Sequence, residues 1–266
     1  MKKLLFLILL TIPLLFLNLT GFTQNLPSYV PTNGLVGFWT MNGTHLDSSP
    51  NQNPTTNYGV TFGGYRDNPN NQVGIWEPDT NCNTGLVVTQ IDTSGLGDGF
   101  SLSFWVKCDT TPECQNPRIL RWGVPTEVGL QFMLPNGYPN GFVFEHNSQF
   151  NGMSASIFTD MTKWNNIVYT YEQDSLRLYL NDSLVWITNN QHPSFPNNVM
   201  GTEIYFGLYN SLTTFPGSFN GQLDDIGIWN RVLDITEIGN LYGGSCQVYD
   251  TITILDTIPY SVTDTL

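Results

Sequence analysis

The strongest constraint on the fold of this chain is a series of short segments in which apolar and polar residues alternate. In Ser101–Cys108, Leu102, Phe104 and Val106 fall on one face of a strand and Trp105 falls on the other. The same alternation recurs in two later segments, Leu176–Leu180 and Ile204–Leu208. Many short amphipathic strands are typical of two packed antiparallel sheets. The sequence therefore predicts an all-β fold, a two-sheet antiparallel β-sandwich of the jelly-roll type.

One segment has a helical pattern instead. Asp234 and Glu237 have the spacing of a capping box, and Ile238 and Leu241 share one helical face. Gly243 provides a stop signal. We expect one short C-terminal helical turn.

The first 23 residues resemble an export signal. Lys2 and Lys3 precede an apolar run, and small residues precede Gln24. A membrane anchor is the alternative, but the run is broken by Pro13 and is short for a spanning helix, which needs about 20 apolar residues. The sequence predicts a signal peptide over 1–23 and a mature chain, without a transmembrane segment, that is secreted or held at the cell surface.

The charge of the mature chain excludes one class of partner. Without Lys2 and Lys3, seven basic residues face 22 acidic ones, which gives a formal net charge of −15. A basic nucleic-acid surface is therefore not expected. The remaining length suits one large domain over 34–243, preceded by a lead-in segment over 24–33 and followed by a tail over 244–266.

Four cysteines in an exported chain suggest two disulfides, and three connectivities are possible. Because only five residues separate Cys108 from Cys114, we expect this pair to form a local staple, which leaves Cys82 to pair with Cys246. A zinc site is not favoured because the three histidines are scattered.

Several blocks, taken in order, resemble laminin-G-like (LamG) jelly-roll domains of the concanavalin A-like lectin/glucanase superfamily. The resemblance spans Gly34 to Gly243 and lies in Gly34–Asn53, Phe100–Val106, Trp164–Val168, Leu176–Asp182 and Phe219–Tyr242. Residues 64–88, which are rich in Asn and Pro, depart from the family pattern.

The resemblance implies a calcium ion that joins the first and last strands. Alternation places Asp224 on the same face as Ile226 and Ile228, where an ionised carboxylate needs a partner. Carried over from the family, Asp224 and Asp47 would be side-chain ligands. Groups near Asn42 or Asn53 would complete the oxygen shell that calcium prefers. Alternatively, Asp47 caps a turn and Asp224 bonds to backbone amides.

Catalysis is not expected. Polysaccharide-cleaving relatives carry a Glu-x-Asp-x-x-Glu strand, and that motif, Gly-x-Ser-x-Gly and His-Glu-x-x-His are all missing from the sequence. Isolated acidic residues could still converge in space, but solvated strand or turn positions explain them better. They are Glu145, Glu203, Asp160 and Asp174.

The remaining interpretation is a non-catalytic secreted recognition module. Trp105, Tyr179, Tyr205 and Tyr209 fall opposite the aliphatic rows of their strands and could form a stacking platform for carbohydrate. Alternatively, loops cover these aromatics, and the partner is an extracellular protein bound through adhesion or a structural contact. The partner is therefore expected to be a glycan or an extracellular protein.

The tail repeats Asp-Thr-aliphatic units at Asp250, Asp256 and Asp264. Tails of this kind are similar to those that follow such domains in surface proteins of the Bacteroidetes type. A β-prone or disordered linker is the alternative.

Overall fold

A computed structural model describes residues 26–96, 99–109, 114, 117–123, 129–134, 140–146, 153–172, 175–188, 201–209 and 217–243. The first strands are β1 (Leu35–Trp39), β2 (Thr55–Tyr58), β3 (Thr61–Gly63), β4 (Val73–Trp76) and β5 (Gly85–Val88). They are followed by β6 (Gly99–Cys108), β7 (Arg118–Trp122), β8 (Leu130–Met133), β9 (Gly141–His146) and β10 (Met153–Phe158). The last strands are β11 (Asn165–Glu172), β12 (Ser175–Leu180), β13 (Ser183–Thr188), β14 (Ile204–Phe206) and β15 (Gly221–Trp229), and the helix α1 spans Ile235–Gly243.

These strands form two antiparallel sheets. Sheet A has the order β13-β12-β11-β6-β15-β4-β3, with β1 also paired to β15, and sheet B has the order β10-β9-β8-β7-β14-β5-β2. The predicted two-sheet antiparallel sandwich with one short helix is confirmed.

The main core lies between the sheets and is rich in aromatic residues. Alternation along β6 turns Leu102, Phe104 and Val106 inward, as predicted, and Phe100 continues the same row. Trp39, Trp76 and Trp122 are fully buried in the same cluster. Each large apolar side chain contributes roughly 1.5–3 kcal/mol through burial.

A second apolar cluster covers the outer face of sheet A. Helix α1 contributes Ile238 and Leu241, and the lead-in segment contributes Val30, all packed against Phe38 and Trp229. The predicted capping box is confirmed, because Glu237 N donates to Asp234 Oδ1 (2.9 Å) and Asp234 N donates to Glu237 Oε2 (3.0 Å). The helix and the lead-in therefore cover the outer face of sheet A.

The disulfide prediction is wrong for the described cysteines. Cys82 is bonded to Cys114 across 32 residues, and Cys108 is a buried free thiol. Cys108 belongs to the core between the sheets, where its thiol is buried. The predicted partner of Cys82, Cys246, lies outside the described residues.

Within the described ranges, no helix has the length and apolar character needed to cross a membrane. The predicted signal peptide (1–23) and the tail (244–266) lie outside these ranges.

Candidate functional site

Two of the four predicted platform aromatics lie on the covered outer face of sheet A. Trp105 is 6% exposed, donates its indole N–H to Leu241 O (3.3 Å) and stacks on Tyr242 with ring centroids 5.6 Å apart. Tyr179 packs against the apolar cluster that holds helix α1. The contacts of Trp105 attach the helix to the sheet and cover its ring.

The predicted face of Asp224 is also wrong, because β15 contains a β-bulge. The register of β15 against β6 shifts between Asp224 and Gly227, and Asp225 has a left-handed φ of 46°. The bulge inserts one residue into the alternation, so Leu223 and Ile226 both face the core. Asp224 consequently lies on the outer face, opposite Trp105.

The bulge lies where β15 changes its neighbour. On one edge, β15 pairs with β4 at Gly221–Leu223 and then with β1 from Ile226 onward. Asp224 and Asp225 occupy the gap between these two partners. The junction of first and last strands thus carries two adjacent buried carboxylates.

Arg66, from the loop between β3 and β4, neutralises part of this charge. Its Nη1 lies 3.0 Å from Asp224 Oδ2, and its Nη2 lies 3.2 Å from Asp225 Oδ2. The guanidinium carbon stands 4.2 Å from the centroid of the Trp105 ring, a cation–π contact. Tyr29, from the lead-in, donates its hydroxyl to Asp225 Oδ2 (2.5 Å).

The buried charges shift one another's pKa values. Burial raises the pKa of Asp224 well above its usual range, and the charge of Asp225 adds to this, while Arg66 acts in the opposite direction. Burial also raises the pKa of Asp225 against the opposing effect of Arg66. Burial alone would lower the pKa of Arg66, but Asp225 and Asp224 raise it, so the guanidinium stays charged.

The other predicted calcium ligands lie in different surroundings. Asp47 and Asn53 meet in the loop after β1, where the Asp47 carboxylate accepts five hydrogen bonds. The donors are Phe38 N, Ser49 N, Ser49 Oγ, Asn53 N and Asn53 Nδ2, at 2.6–2.8 Å. Asn42 instead bonds to the loop between β3 and β4, since its Oδ1 accepts from Gln72 N (2.6 Å).

These surroundings do not fit a calcium ion shared by Asp47 and Asp224. Five internal donors already use the oxygens of Asp47, and a guanidinium already balances Asp224. In the described part of the chain, no three acidic, histidine or cysteine side chains are grouped so that they could hold a metal. Calcium binding stays a prediction.

The outer face of sheet B carries a different arrangement, a row of polar side chains that crosses four strands and ends against an apolar residue on a fifth. Backbone register places Glu145 opposite Gln131, Gln131 opposite Arg121, Arg121 opposite Tyr205, and Tyr205 opposite Val87. Residues directly opposite one another on neighbouring strands share a face. Their side chains therefore lie side by side, away from the core.

Hydrogen bonds and ring contacts fix this row. Arg118 Nε donates to Gln131 Oε1 (2.9 Å), and Gln131 Nε2 donates to Glu145 Oε2 (2.5 Å). The guanidinium carbons of Arg118 and Arg121 lie 4.8 and 5.2 Å from the centroid of the Tyr209 ring. We call Arg118, Arg121, Gln131, Glu145 and Tyr209 the sheet B polar face.

Two side chains of the sheet B polar face are buried, and the other three are more accessible. Arg121 and Gln131 are 1% and 3% exposed, whereas Arg118, Glu145 and Tyr209 are half-buried. Burial lowers the pKa of Arg118, and Tyr209 and Glu145 act in the opposite direction. Such a surface offers guanidinium donors, carboxylate acceptors and one aromatic ring in fixed positions.

Tyr205 is buried next to the Arg121 side chain of this surface. It is fully buried, donates its hydroxyl to Glu203, and lies 5.9 Å from the Arg121 guanidinium. Of the four predicted aromatics, the structure thus places Tyr205 and Tyr209 together on sheet B and the other two on sheet A.

The spacing of the acidic residues does not favour hydrolysis. Glu145 is on β9 and Glu203 precedes β14, three strands away. At a strand spacing of about 4.8 Å, their backbones are roughly 14 Å apart. Glycosidases hold their two carboxyl groups about 5–9.5 Å apart. Asp160 is exposed and caps a turn through Thr162, and Asp174 lies outside the described residues.

Sequence reasoning missed Arg66, Arg118, Arg121 and Gln131. The composition gave a usable signal for the arginines. Because the predicted mature chain has only seven basic residues against 22 acidic ones, each basic residue is a candidate partner for a carboxylate. Arg118 and Arg121 also flank two adjacent apolar residues, Ile119 and Leu120, within β7.

Comparison with known proteins supports the fold. A family model described as concanavalin A-like lectin/glucanases superfamily (laminin G type) matches residues 80–239, more than half of the chain. No protein of curated function matches the sequence significantly.

Solved structures of similar fold include receptor-binding domains of toxins. One is botulinum neurotoxin type C, whose cell entry depends on interaction with two ganglioside molecules (TM-score 0.63, 16% identity, 79% of this chain and 51% of that one). A second is the binding domain of botulinum neurotoxin DC in complex with rat synaptotagmin II (TM-score 0.61, 16% identity, 79% and 51%). A third is the receptor-binding domain of botulinum neurotoxin type G (TM-score 0.57, 20% identity, 79% and 51%).

This chain spans about half the length of these structures, and at such identities the likeness shows the fold alone. The family match and the two-sheet architecture lead to the same assignment. The chain belongs to the concanavalin A-like lectin/glucanases superfamily, as a domain of the laminin G type.

Proposed function

We propose that the protein is a non-catalytic binding module that holds a carbohydrate against the outer face of sheet B. The observation that carries the proposal is the chain of hydrogen bonds from Arg118 through Gln131 to Glu145, beside the ring of Tyr209. It places charged donors, a charged acceptor and an aromatic surface on one sheet.

This chemistry suits sugar rings. Hydroxyl groups both donate and accept hydrogen bonds, so a guanidinium next to a carboxylate can bind two of them at once. The apolar side of a sugar ring can stack on an aromatic ring such as Tyr209. Because neighbouring side chains hold Arg118 and Glu145 in place, binding loses little side-chain entropy.

The outer face of sheet A is a poorer candidate. Helix α1 and the lead-in cover it, and Trp105 and Tyr179 pack beneath them. The choice between the two outer faces therefore favours sheet B.

Two further observations support an extracellular binding role. The leader-like sequence over 1–23 suits export, and the Cys82–Cys114 disulfide suits an oxidising compartment. Domains of similar fold include toxin binding domains described with gangliosides and with synaptotagmin II.

A protein partner is the second candidate, and a specific surface favours it. Strand β13 forms one edge of sheet A, and Leu184, Val185 and Ile187 on it are 49%, 41% and 45% exposed. An exposed apolar edge strand can pair with an added strand from a partner. Such a contact would make the domain an adhesion or structural surface module.

An array of immobilised glycans tests the first candidate. The chain 24–266 is applied with calcium and again with chelator, alongside Arg118→Gln and a matched control, Arg177→Gln on sheet A. We expect binding to a defined glycan class that Arg118→Gln reduces at least tenfold and that Arg177→Gln leaves unchanged. A correctly folded chain that binds no glycan would refute the proposal and favour the protein partner.

A further inference from the structure

Strand β13 ends sheet A, and its edge is apolar and uncharged. Among the described residues, β13 pairs with β12 alone. Leu184, Val185 and Ile187 are 49%, 41% and 45% exposed, and no residue of Ser183–Thr188 carries a charged side chain. Edge strands usually carry charges that prevent pairing with other chains. The β13 edge is therefore open to a further strand.

The register of β13 on β12 shows which of its side chains face outward. Leu184 lies opposite Tyr179, which packs against the apolar cluster on the outer face of sheet A, and Ile187 lies opposite Arg177. Residues opposite one another on paired strands share a face. Because the register shifts at Val185, Leu184 and Ile187 both face outward although they are three positions apart.

We infer that β13 pairs in the antiparallel sense with β13 of a second copy of this chain, with Leu184 of each copy opposite Ile187 of the other. This register maps the strand onto itself about a two-fold axis, so every contact is made twice. The extra residue of each strand falls at the same place, so the pairing on both sides of Val185 stays aligned. The inference names the protein partner of the β13 edge.

The charges around this edge favour a second copy. The predicted mature chain has a formal net charge of −15, so two copies repel each other unless their contact surfaces are neutral or complementary. Asp182 precedes β13 in an exposed turn, and Arg177 lies beside the other end of the strand. Antiparallel pairing brings Asp182 of each copy towards Arg177 of the other. Exposed pairs of this kind fix the orientation of the copies more than they add affinity.

The dimer presents two carbohydrate sites on one side. The two-fold axis of an antiparallel strand pair is perpendicular to the sheet, so sheet A continues into the second copy with the same face outward. The two sheet B polar faces then point in the same direction. Two linked sites can bind an immobilised ligand roughly 10²–10⁴-fold more tightly than one. This consequence rests on the proposed function, whereas the dimer is measured without any glycan, so the two can fail separately.

Analytical ultracentrifugation of the chain 24–266 over a dilution series tests the dimer. We expect the wild type to reach twice the monomer mass and Leu184→Lys, which places a charge on the edge, to stay monomeric. The matched control is Ile235→Lys, which makes the same change at an apolar side chain 64% exposed on helix α1, and it should dimerise like the wild type. A wild type that stays monomeric at about 100 µM, far above a micromolar Kd, overturns the inference. A dimer that persists in Leu184→Lys overturns it as well.

Cysteine cross-linking tests the register. In Leu184→Cys/Ile187→Cys, each new thiol lies opposite a new thiol of the second copy, so oxidation should yield a covalent dimer. In Leu184→Cys alone, the two new thiols are three residues out of register, about 10 Å apart, which exceeds the Cα separation of about 7 Å that a disulfide can span. Equal cross-linking of the two variants would contradict the proposed pairing.

Discussion

The guanidinium of Arg66 lies flat on the indole ring of Trp105, 4.2 Å from its centroid. The same ring stacks on Tyr242 and donates its N–H to Leu241. Trp105 therefore connects the ion pairs of Arg66 with Asp224 and Asp225 to the C-terminal helix. An aromatic residue that sequence patterning assigns to ligand binding instead holds two covering elements on sheet A.

Trp105→Ala should destabilise the domain without changing its ligand binding. Loss of a buried indole from a packed site costs about 3–5 kcal/mol, and Arg66 and helix α1 lose their shared contact. Chemical denaturation measures the stability, and a glycan array measures the binding. A variant that keeps wild-type stability but loses all array signals would show that Trp105 contacts the ligand.

The pH dependence of stability should reveal the raised pKa of Asp224 in the Asp224–Asp225 pair. Burial and the charge of Asp225 raise the pKa of Asp224, so the folded chain binds this proton more tightly than the unfolded chain does. The resulting contribution to the free energy of unfolding is present below the unfolded pKa of about 4 and is lost as pH rises through the folded-state pKa. The titratable groups that face Asp224 are Asp225, Arg66 and Asp67.

Asp224→Asn isolates this effect. The variant should become more stable relative to wild type as pH rises from 4 to 8, by about 1.4 kcal/mol per unit of pKa difference. Glu237 has the opposite sign, because its hydrogen bond with Arg231 lowers its pKa, but it is present in both proteins and cancels. A stability difference that is constant over this pH range would contradict the assignment.

Tyr29→Phe should loosen the lead-in. The substitution keeps the ring and removes the hydroxyl that bonds Asp225. Hydrogen bonds to charged groups contribute roughly 1.5–3 kcal/mol, so we expect a loss of that order. Hydrogen exchange of the 26–33 amides should increase more than exchange in sheet B. Equal protection in both regions would mean that the lead-in is held by apolar contacts alone.

Much of the fold follows from the sequence because alternation and capping are local patterns. Leu102, Phe104 and Val106 face the core as their spacing predicts, and Asp234 and Glu237 cap the helix. Alternation counted back from Ile228 and Ile226 puts Asp224 on the wrong face, because the bulge at Asp225 adds one residue and reverses the faces before it. The role of Arg66 could not be predicted for a related reason, since its partners Asp224 and Asp225 are about 160 positions away in the chain.

The cysteines illustrate the same limit of local reasoning. Short spacing favoured Cys108 with Cys114, yet the strand turns Cys108 into the core, and Cys114 bonds to Cys82. Whether a side chain at the end of a strand points inward or outward decided the pairing, whereas loop length did not.

Peptide mapping without reduction should recover a Cys82–Cys114 link. Reduction should lower stability by about 4 kcal/mol in the chain-entropy description of a loop of 32 residues. Cys108 should react with thiol reagents only after unfolding, because burial shields it and raises its thiol pKa. A Cys108–Cys114 peptide from folded protein would contradict the structure.

The most direct test of the account is the carbohydrate binding of two matched variants, Tyr209→Ala on sheet B and Tyr179→Ala on sheet A, measured on the same glycan array as the wild type. Both tyrosines are half-buried, and the two lie on opposite outer faces. We predict that Tyr209→Ala loses the wild-type signals by tenfold or more and that Tyr179→Ala retains them. Loss of the signals in Tyr179→Ala alone, with both variants folded, would place the ligand on sheet A and contradict the central claim.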